Sequence, residues 1–360
     1  VELPVKPPIQ PMLAKRVGVV PPGDGWIFEP KWDGFRAIVF RDGDEVFLQS
    51  RDERSLNRYF PELLAPVKAA LPDQCVLDGE IVVVQNDGLD FDALQLRIHP
   101  AESRVRLLSA QIPASIVFFD ILCEGSRDLR NTPFQERRQR LEALISTASP
   151  PIHQTPATTD RKVAEDWFRR FEGAGLDGVM AKLASGIYEP GKRVMFKVKH
   201  ERDCDCVVAG FRWHKNGEGK SIGSLLLGLF DETGRLQHVG VCASFTTAKR
   251  LELVEQLSPF RRDALRDHPW KDWAGHDAGD GGARMPGGLS RWSHGKDLSW
   301  EPLRPELVVE VAYDHMQGNR FRHTAQFRRW RDDKKPRDCT YAQLEVVPPH
   351  ELAAIFRSGR

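Results

Sequence analysis

Apolar and polar positions alternate in short runs along this chain, and long stretches of helical spacing are few. Residues 36–40 and 45–50 flank Asp42-Gly43, a pattern that predicts a β-hairpin. A short helix is predicted near 61–71. Residues 75–85 alternate around Ile81 and Val83 and read as a strand. Residues 115–123 are continuously apolar, which predicts a buried strand. Residues 134–146 and 160–171 show helical spacing with charged outer faces, and Thr132-Pro133 stands where a helix would start. Two short strands are predicted at 177–183 and 194–200. Up to about residue 203 the pattern is that of an α+β domain rich in antiparallel sheet.

Beyond Arg202 the texture changes. Strands are predicted at 206–213, 224–230 and 235–243, separated by glycine-containing turns, then a helix at 247–257 and strands at 307–313 and 321–330. About five strands and one helix suit a small OB-fold β-barrel. Residues 276–289, rich in Gly and Asp, read as a mobile insertion within a stretch near 270–295. The expected organisation is one domain over 1–203, an OB-fold domain over 204–360, and a hinge at 200–203.

Length agrees with that division, since 360 residues exceed one ordinary domain. Hydrophobic residues at 41% and charged residues at 29% supply two cores and exclude a disordered or fibrous chain. No apolar run approaches membrane-spanning length and the amino terminus has no hydrophobic signal region, so a cytoplasmic protein is expected. The net charge of +1 argues neither for nor against nucleic acid. The local distribution says more. Residues 320–337 hold eight basic side chains against two acids, either a solvated face or a phosphate-binding strip. The six cysteines are scattered, with no zinc spacing, and read as reduced thiols in strands. The eleven histidines show no metal spacing, and the tryptophans near the insertion are expected to pack there rather than stack bases.

The sharpest local feature is Glu29-Pro-Lys31-Trp-Asp33-Gly34-Phe-Arg36. Lys-x-Asp-Gly alone is weak and is ordinarily a surface lysine before a turn. Its company raises it. Asp78-Gly79-Glu80 puts two carboxylates inside an apolar strand. Phe118-Phe119-Asp120 ends another apolar stretch, and Asp177-Gly178 with Lys182, Lys197 and Lys199 puts three lysines on short apolar strands. In alternation, Lys197 and Lys199 point to one face.

With these residues in order, the chain resembles the covalent nucleotidyltransferase superfamily, and within it the compact bacterial ATP-dependent DNA ligases. Six motifs of that superfamily are matched between Lys31 and Lys334, the last being Arg331-Asp-Asp333-Lys334-x-Pro336. Pro11-Met-Leu-Ala14 is similar to the segment before the nucleophile in bacterial end-joining ligases. One departure is Asp177, where the fourth motif usually opens with Glu.

The resemblance implies that Lys31 attacks the ATP α-phosphate to give lysyl-AMP, that AMP passes to the 5′-phosphate of a nick, and that the 3′-hydroxyl then displaces AMP. An amine nucleophile must be neutral, and nearby cations favour that form. Lys197, Lys199 and Mg²⁺ or Mn²⁺ are the expected cations, with Asp33 beside the nucleophile. By the same resemblance Glu80 and Asp177 would hold the divalent metal, a hard cation that takes oxygen ligands. Arg36 and Arg51 would contact AMP or the DNA 5′-phosphate, Phe119 would stack on adenine, Glu29 would read its amino group, alone or through its backbone, and Lys182 would lie near ribose or the α-phosphate. Arg331 and Lys334 would orient pyrophosphate in the first step and move away afterwards. Only 30 residues precede Lys31, too few for a separate DNA-binding domain, so the two domains are expected to grip nicked duplex DNA as a monomer, helped by a DNA-end-holding or repair protein. The rival readings are an RNA ligase or mRNA guanylyltransferase of the same superfamily, and a non-catalytic nucleic-acid-binding module.

Overall fold

A computed structural model describes residues 3–273, 299–347 and 350–357. The chain divides into two compact units, one of residues 1–199 with 347–360 and the other of residues 200–346.

The first unit is α+β, as expected. One sheet orders its strands Glu45–Ser50, Phe35–Asp42, Gln74–Gln85 and Ala114–Glu124, all antiparallel, and Ile152–Gln154 runs parallel beside the last. The hairpin turn is Gly43-Asp44, one residue past the expected pair, because Asp42 still pairs with Glu45 and Gly43 takes the positive φ of 60°. A second sheet orders Leu13–Val17, Arg193–Val198, Val179–Leu183 and Trp26–Pro30. Helices Leu64–Ala70, Phe91–Leu96, Glu102–Gln111, Phe134–Ile145 and Arg161–Arg170 complete the unit with the short Leu352–Arg357 helix. Helix Phe134–Ile145 has its expected charged outer face in exposed Glu136 and Glu142, but two of its charges lie inside. Arg137 and Arg138 are buried, because each meets a carboxylate distant in sequence.

The second unit is a closed five-stranded barrel of Arg202–Trp213, Ile222–Phe230, Leu236–Ala243, Ala325–Trp330 and Glu301–Tyr313, in that order. Helix Thr247–Leu257 starts at Thr246, whose hydroxyl caps the Lys249 N–H. The barrel core includes Val207, Phe211, Leu225, Leu227, Val309 and Trp270. Trp270 donates its indole N–H to the Leu236 carbonyl at 2.8 Å, and Trp273 and Trp300 pack against the same core. The predicted 321–330 strand is two pieces. Arg320–Phe321 folds back on Met316–Gln317, and Ala325–Trp330 alone joins the barrel. The expected Gly-rich insertion at 276–289 lies outside the described residues. All six cysteines are free and buried. The carboxy-terminal end, expected in the OB-fold domain, packs instead on the first unit through Leu352 and Ile355.

Candidate active site

The nucleophile candidate sits where a strand stops. Trp26–Pro30 pairs antiparallel with Val179–Leu183, and the ladder ends with Lys31, whose N–H donates to Gly178 O at 2.9 Å while its carbonyl accepts from Asp177 N at 2.9 Å. Only glycine fits at 178, because φ is +119° and a Cβ would lie 1.9 Å from Val198 O. The chain then turns through Trp32 and Asp33, both buried, to Gly34. A Cβ on Gly34 would stand 2.0 Å from Ile81 O, so Lys-x-Asp-Gly needs its glycine for close approach to the Gln74–Gln85 strand. Gly34 N–H donates to Glu80 Oε1 at 3.1 Å.

Around Lys31 the charges converge. Its Nζ lies 2.5 Å from Asp177 Oδ2, and Lys199 Nζ lies 3.3 Å from the same oxygen. Burial and the neighbouring Lys31 and Lys199 ammoniums hold Lys197 below its ordinary pKa, and Arg51, itself exposed, adds to that field. Burial pushes Glu80 up to about 7, although Arg36, Lys31 and the Gly34 N–H all favour its charged form. A desolvated carboxylate short of positive charge, with oxygen donors only, suits a hard divalent cation. Asp177 is the counter-ion of two lysines here.

Beside this lies a second cluster. Arg36 makes a bidentate pair with Asp78 at 2.6 and 2.6 Å and donates to Met12 O at 3.2 Å. Tyr188 donates its hydroxyl to Asp78 Oδ2 at 2.6 Å and accepts from Met12 N at 3.0 Å. The two carboxylates of Asp78-Gly79-Glu80 thus differ in use, Asp78 gripping Arg36 in a bidentate pair and Glu80 accepting from Gly34 in the field of Arg36 and Lys31. The Phe119 ring has the Lys182 ammonium 4.5 Å and the Arg36 guanidinium 4.9 Å from its centroid. Glu29, 2% exposed, pairs with Lys182 at 2.5 Å and Arg138 at 3.1 Å. Asp120 is taken by a bidentate pair with buried Arg137, a structural role.

In the second unit, Arg331 is surrounded by carboxylates. Asp333 binds its Nε and Nη2, each at 2.9 Å, and Nη1 meets Asp205 at 3.1 Å and Glu310 at 3.3 Å. Lys334 pairs with Asp205 at 2.8 Å. These partners raise the pKa of both cations, and Arg331 holds Asp333 down at about 2. Part of the basic strip is therefore locally neutralised. Elsewhere in this unit Asp314, His315 and His323 bring donor atoms within 4.8 Å of one another, and Asp314 accepts from His323 Nδ1 at 2.7 Å and from the His315 N–H at 2.9 Å.

Two family models match the chain: "ATP dependent DNA ligase domain" over residues 11–199 and "ATP dependent DNA ligase C terminal region" over residues 218–334. The chain belongs to the ATP-dependent DNA ligase family. It is 56% identical to DNA ligase C2 of Mycolicibacterium smegmatis, with 97% of each chain covered. It is also 56% identical to DNA ligase C of Mycobacterium tuberculosis, with 96% of each covered. A solved Lig E DNA ligase superposes with a TM-score of 0.54 at 16% identity, covering 89% of this chain and 99% of that one, a likeness of fold. The protein is thus an enzyme that uses ATP and acts on nicked DNA. Among the described residues no helix is long and apolar enough to cross a membrane.

Of the residues expected from sequence, the ligase gathers Lys31, Glu80, Asp177, Lys197 and Lys199 into one charged cluster with Arg51 in its field, and places Glu29, Phe119, Lys182 and Arg36 in a contiguous group. Arg331 and Lys334 belong to the other unit. Sequence reading missed Arg138, Tyr188 and Asp205. No spacing marks them, and each is recognised only by the distant partner it holds.

Proposed function

We propose that Lys31 is the adenylated nucleophile and that the surrounding cations carry the phosphate charge. The observation that supports this reading best is the Lys31–Asp177 contact at 2.5 Å beside Lys197 and Lys199. Asp177 Oδ2 is placed to receive the ammonium proton as Lys31 turns to the α-phosphate of ATP. The new N–P bond forms as the bond to pyrophosphate breaks. Lys197 and Lys199 offset the charge on the α-phosphate oxygens, the kind of preset electrostatics that dominates phosphoryl transfer. Phe119 offers a ring to adenine. Glu29 fixes Lys182 and Arg138 along the nucleotide, so adenine is read by the adjoining main chain. A divalent cation, Mg²⁺ or Mn²⁺, would be held by Glu80, and by Asp177 once the proton taken from Lys31 has passed on to solvent, and would supply charge neutralisation at the phosphates.

In the same reading AMP then moves to the 5′-phosphate of a nick, with Arg36 and Arg51 as phosphate contacts and Arg36 held by Asp78. The 3′-hydroxyl displaces AMP and closes the backbone. Asp33 helps position the nucleophile loop, and Arg331 and Lys334 orient pyrophosphate in the first step. We assign the ligase to repair and recombination of chromosomal DNA in the cytoplasm, acting as a monomer and aided by a protein that holds DNA ends.

The test is incubation with ATP and then with GTP, followed by mass measurement and peptide mapping. One AMP on the Lys31 peptide is expected from ATP, with none in Lys31→Ala. An adduct on a peptide lacking Lys31 would refute the assignment.

A further inference from the structure

The carboxy-terminal helix Leu352–Arg357 reaches the nucleophile loop from far along the chain. Leu352 and Ile355 are buried in a core with Trp32, Val82, Val117, Phe171 and Val179, and the Leu352 N–H donates to Asp87 O at 2.8 Å. Phe356, only partly buried, stacks on Trp32 with ring centroids 5.2 Å apart and planes at 20°, and on His153 at 4.5 Å and 20°. Trp32 is the residue next to Lys31. Its other fixings are an indole N–H donated to Thr155 Oγ1 at 2.8 Å and the surrounding core. The Thr155 N–H in turn donates to Phe118 O, beside Phe119. Residues 31–34 lie between strands, without a ladder of their own, so main-chain bonds at Lys31 and Gly34 and the seat of Trp32 set their course.

We propose that Phe356 is a positioning residue for Lys31, acting through Trp32 as a clasp that the carboxy-terminal helix closes over the nucleophile loop. This rests on the reading of Lys31 as the nucleophile. A flat apolar ring on Trp32 fixes the plane of the indole, and through it the backbone from which the Lys31 side chain leaves. Small displacements at a reacting centre cost rate steeply, on the order of a hundredfold for 1 Å. A six-residue helix is too short to persist alone, so its docking depends on these contacts.

Full-length Phe356→Ala, Phe356→Leu and Phe356→Tyr are compared with wild type in single-turnover formation of the Lys31 adduct over a range of ATP concentrations, and in sealing of a pre-adenylated nick. Each rate is normalised to the folded fraction from thermal unfolding. Ala and Leu are expected to lower the maximal adenylation rate about tenfold, with half-saturating ATP within about twofold. Tyr keeps the ring and should restore the rate, and pre-adenylated sealing should change little. An adenylation rate equal to wild type in both Ala and Leu, or equal losses in the two assays, overturns the clasp. An adduct that persists in Lys31→Ala overturns the nucleophile reading beneath it.

Discussion

Glu80 should make the ligase less stable above neutral pH than in mild acid. Its carboxyl is pushed from 4.5 to about 7 by burial. A folded-state pKa above the unfolded one means that the native state holds the proton more tightly. The group therefore costs nothing below about pH 4.5, costs progressively more as pH rises, and reaches its full cost above about 7. A rise from 4.5 to about 7 corresponds to about 3 kcal/mol. Glu80→Gln keeps an acceptor for the Gly34 N–H and removes the charge. At pH 8 it should gain about 2–3 kcal/mol, a rise in Tm of roughly 6 °C. At pH 5 the gain should fall below about 1 kcal/mol, and adenylation should be lost at both. Mg²⁺ should stabilise wild type more than the variant, because a bound cation offsets the charge that burial penalises. The assay is thermal and urea unfolding at the two pH values, with and without Mg²⁺. A Gln variant no more stable than wild type at pH 8, or equally stabilised at both, would refute the reasoning.

Two further outcomes follow from the charges. Ala at Arg331 or Lys334 should cripple formation of the AMP adduct and leave sealing of a pre-adenylated nick nearly intact; equal losses in the two assays would mean that the strip grips DNA instead. Nick binding should weaken with salt at about −0.9 in log–log slope per phosphate contact, roughly a thousandfold between about 50 and 200 mM if six are made, and should not depend on flanking sequence. A flat salt series would contradict phosphate-dominated binding.

What the sequence discloses here depends on how local the cause is. The 36–50 hairpin, the buried 115–123 strand and the Thr247–Leu257 helix follow from alternation, continuous apolarity and a cap, all readable within a few residues. The strand Trp26–Pro30 does not. It carries no clean alternation and ends in proline, and its partner Val179–Leu183 lies about 150 residues away. The break in 321–330 is equally non-local, since both pieces suit a strand and only their different partners separate them. Within the site, the Lys31 and Glu80 motifs were legible because their glycines and acids stand next to one another. Arg137 and Arg138 read as solvent-facing because a helix pattern shows charge but not the Asp120 or Glu29 waiting opposite.

The return of the chain to the first unit also sets an order in time. The core that seats Trp32 is completed by Leu352 and Ile355, roughly 150 residues downstream of Val198 in the same cluster. At synthesis rates of about 5–20 residues per second, those side chains reach the nascent protein about 10–30 s after the strand they cover. For most of that interval the barrel is itself still being made, because its closing strand Ala325–Trp330 precedes Leu352 by only about 22 residues, and one face beside the nucleophile stays open. The nucleophile unit therefore gains its last described core side chains only after every described strand of the barrel has been made.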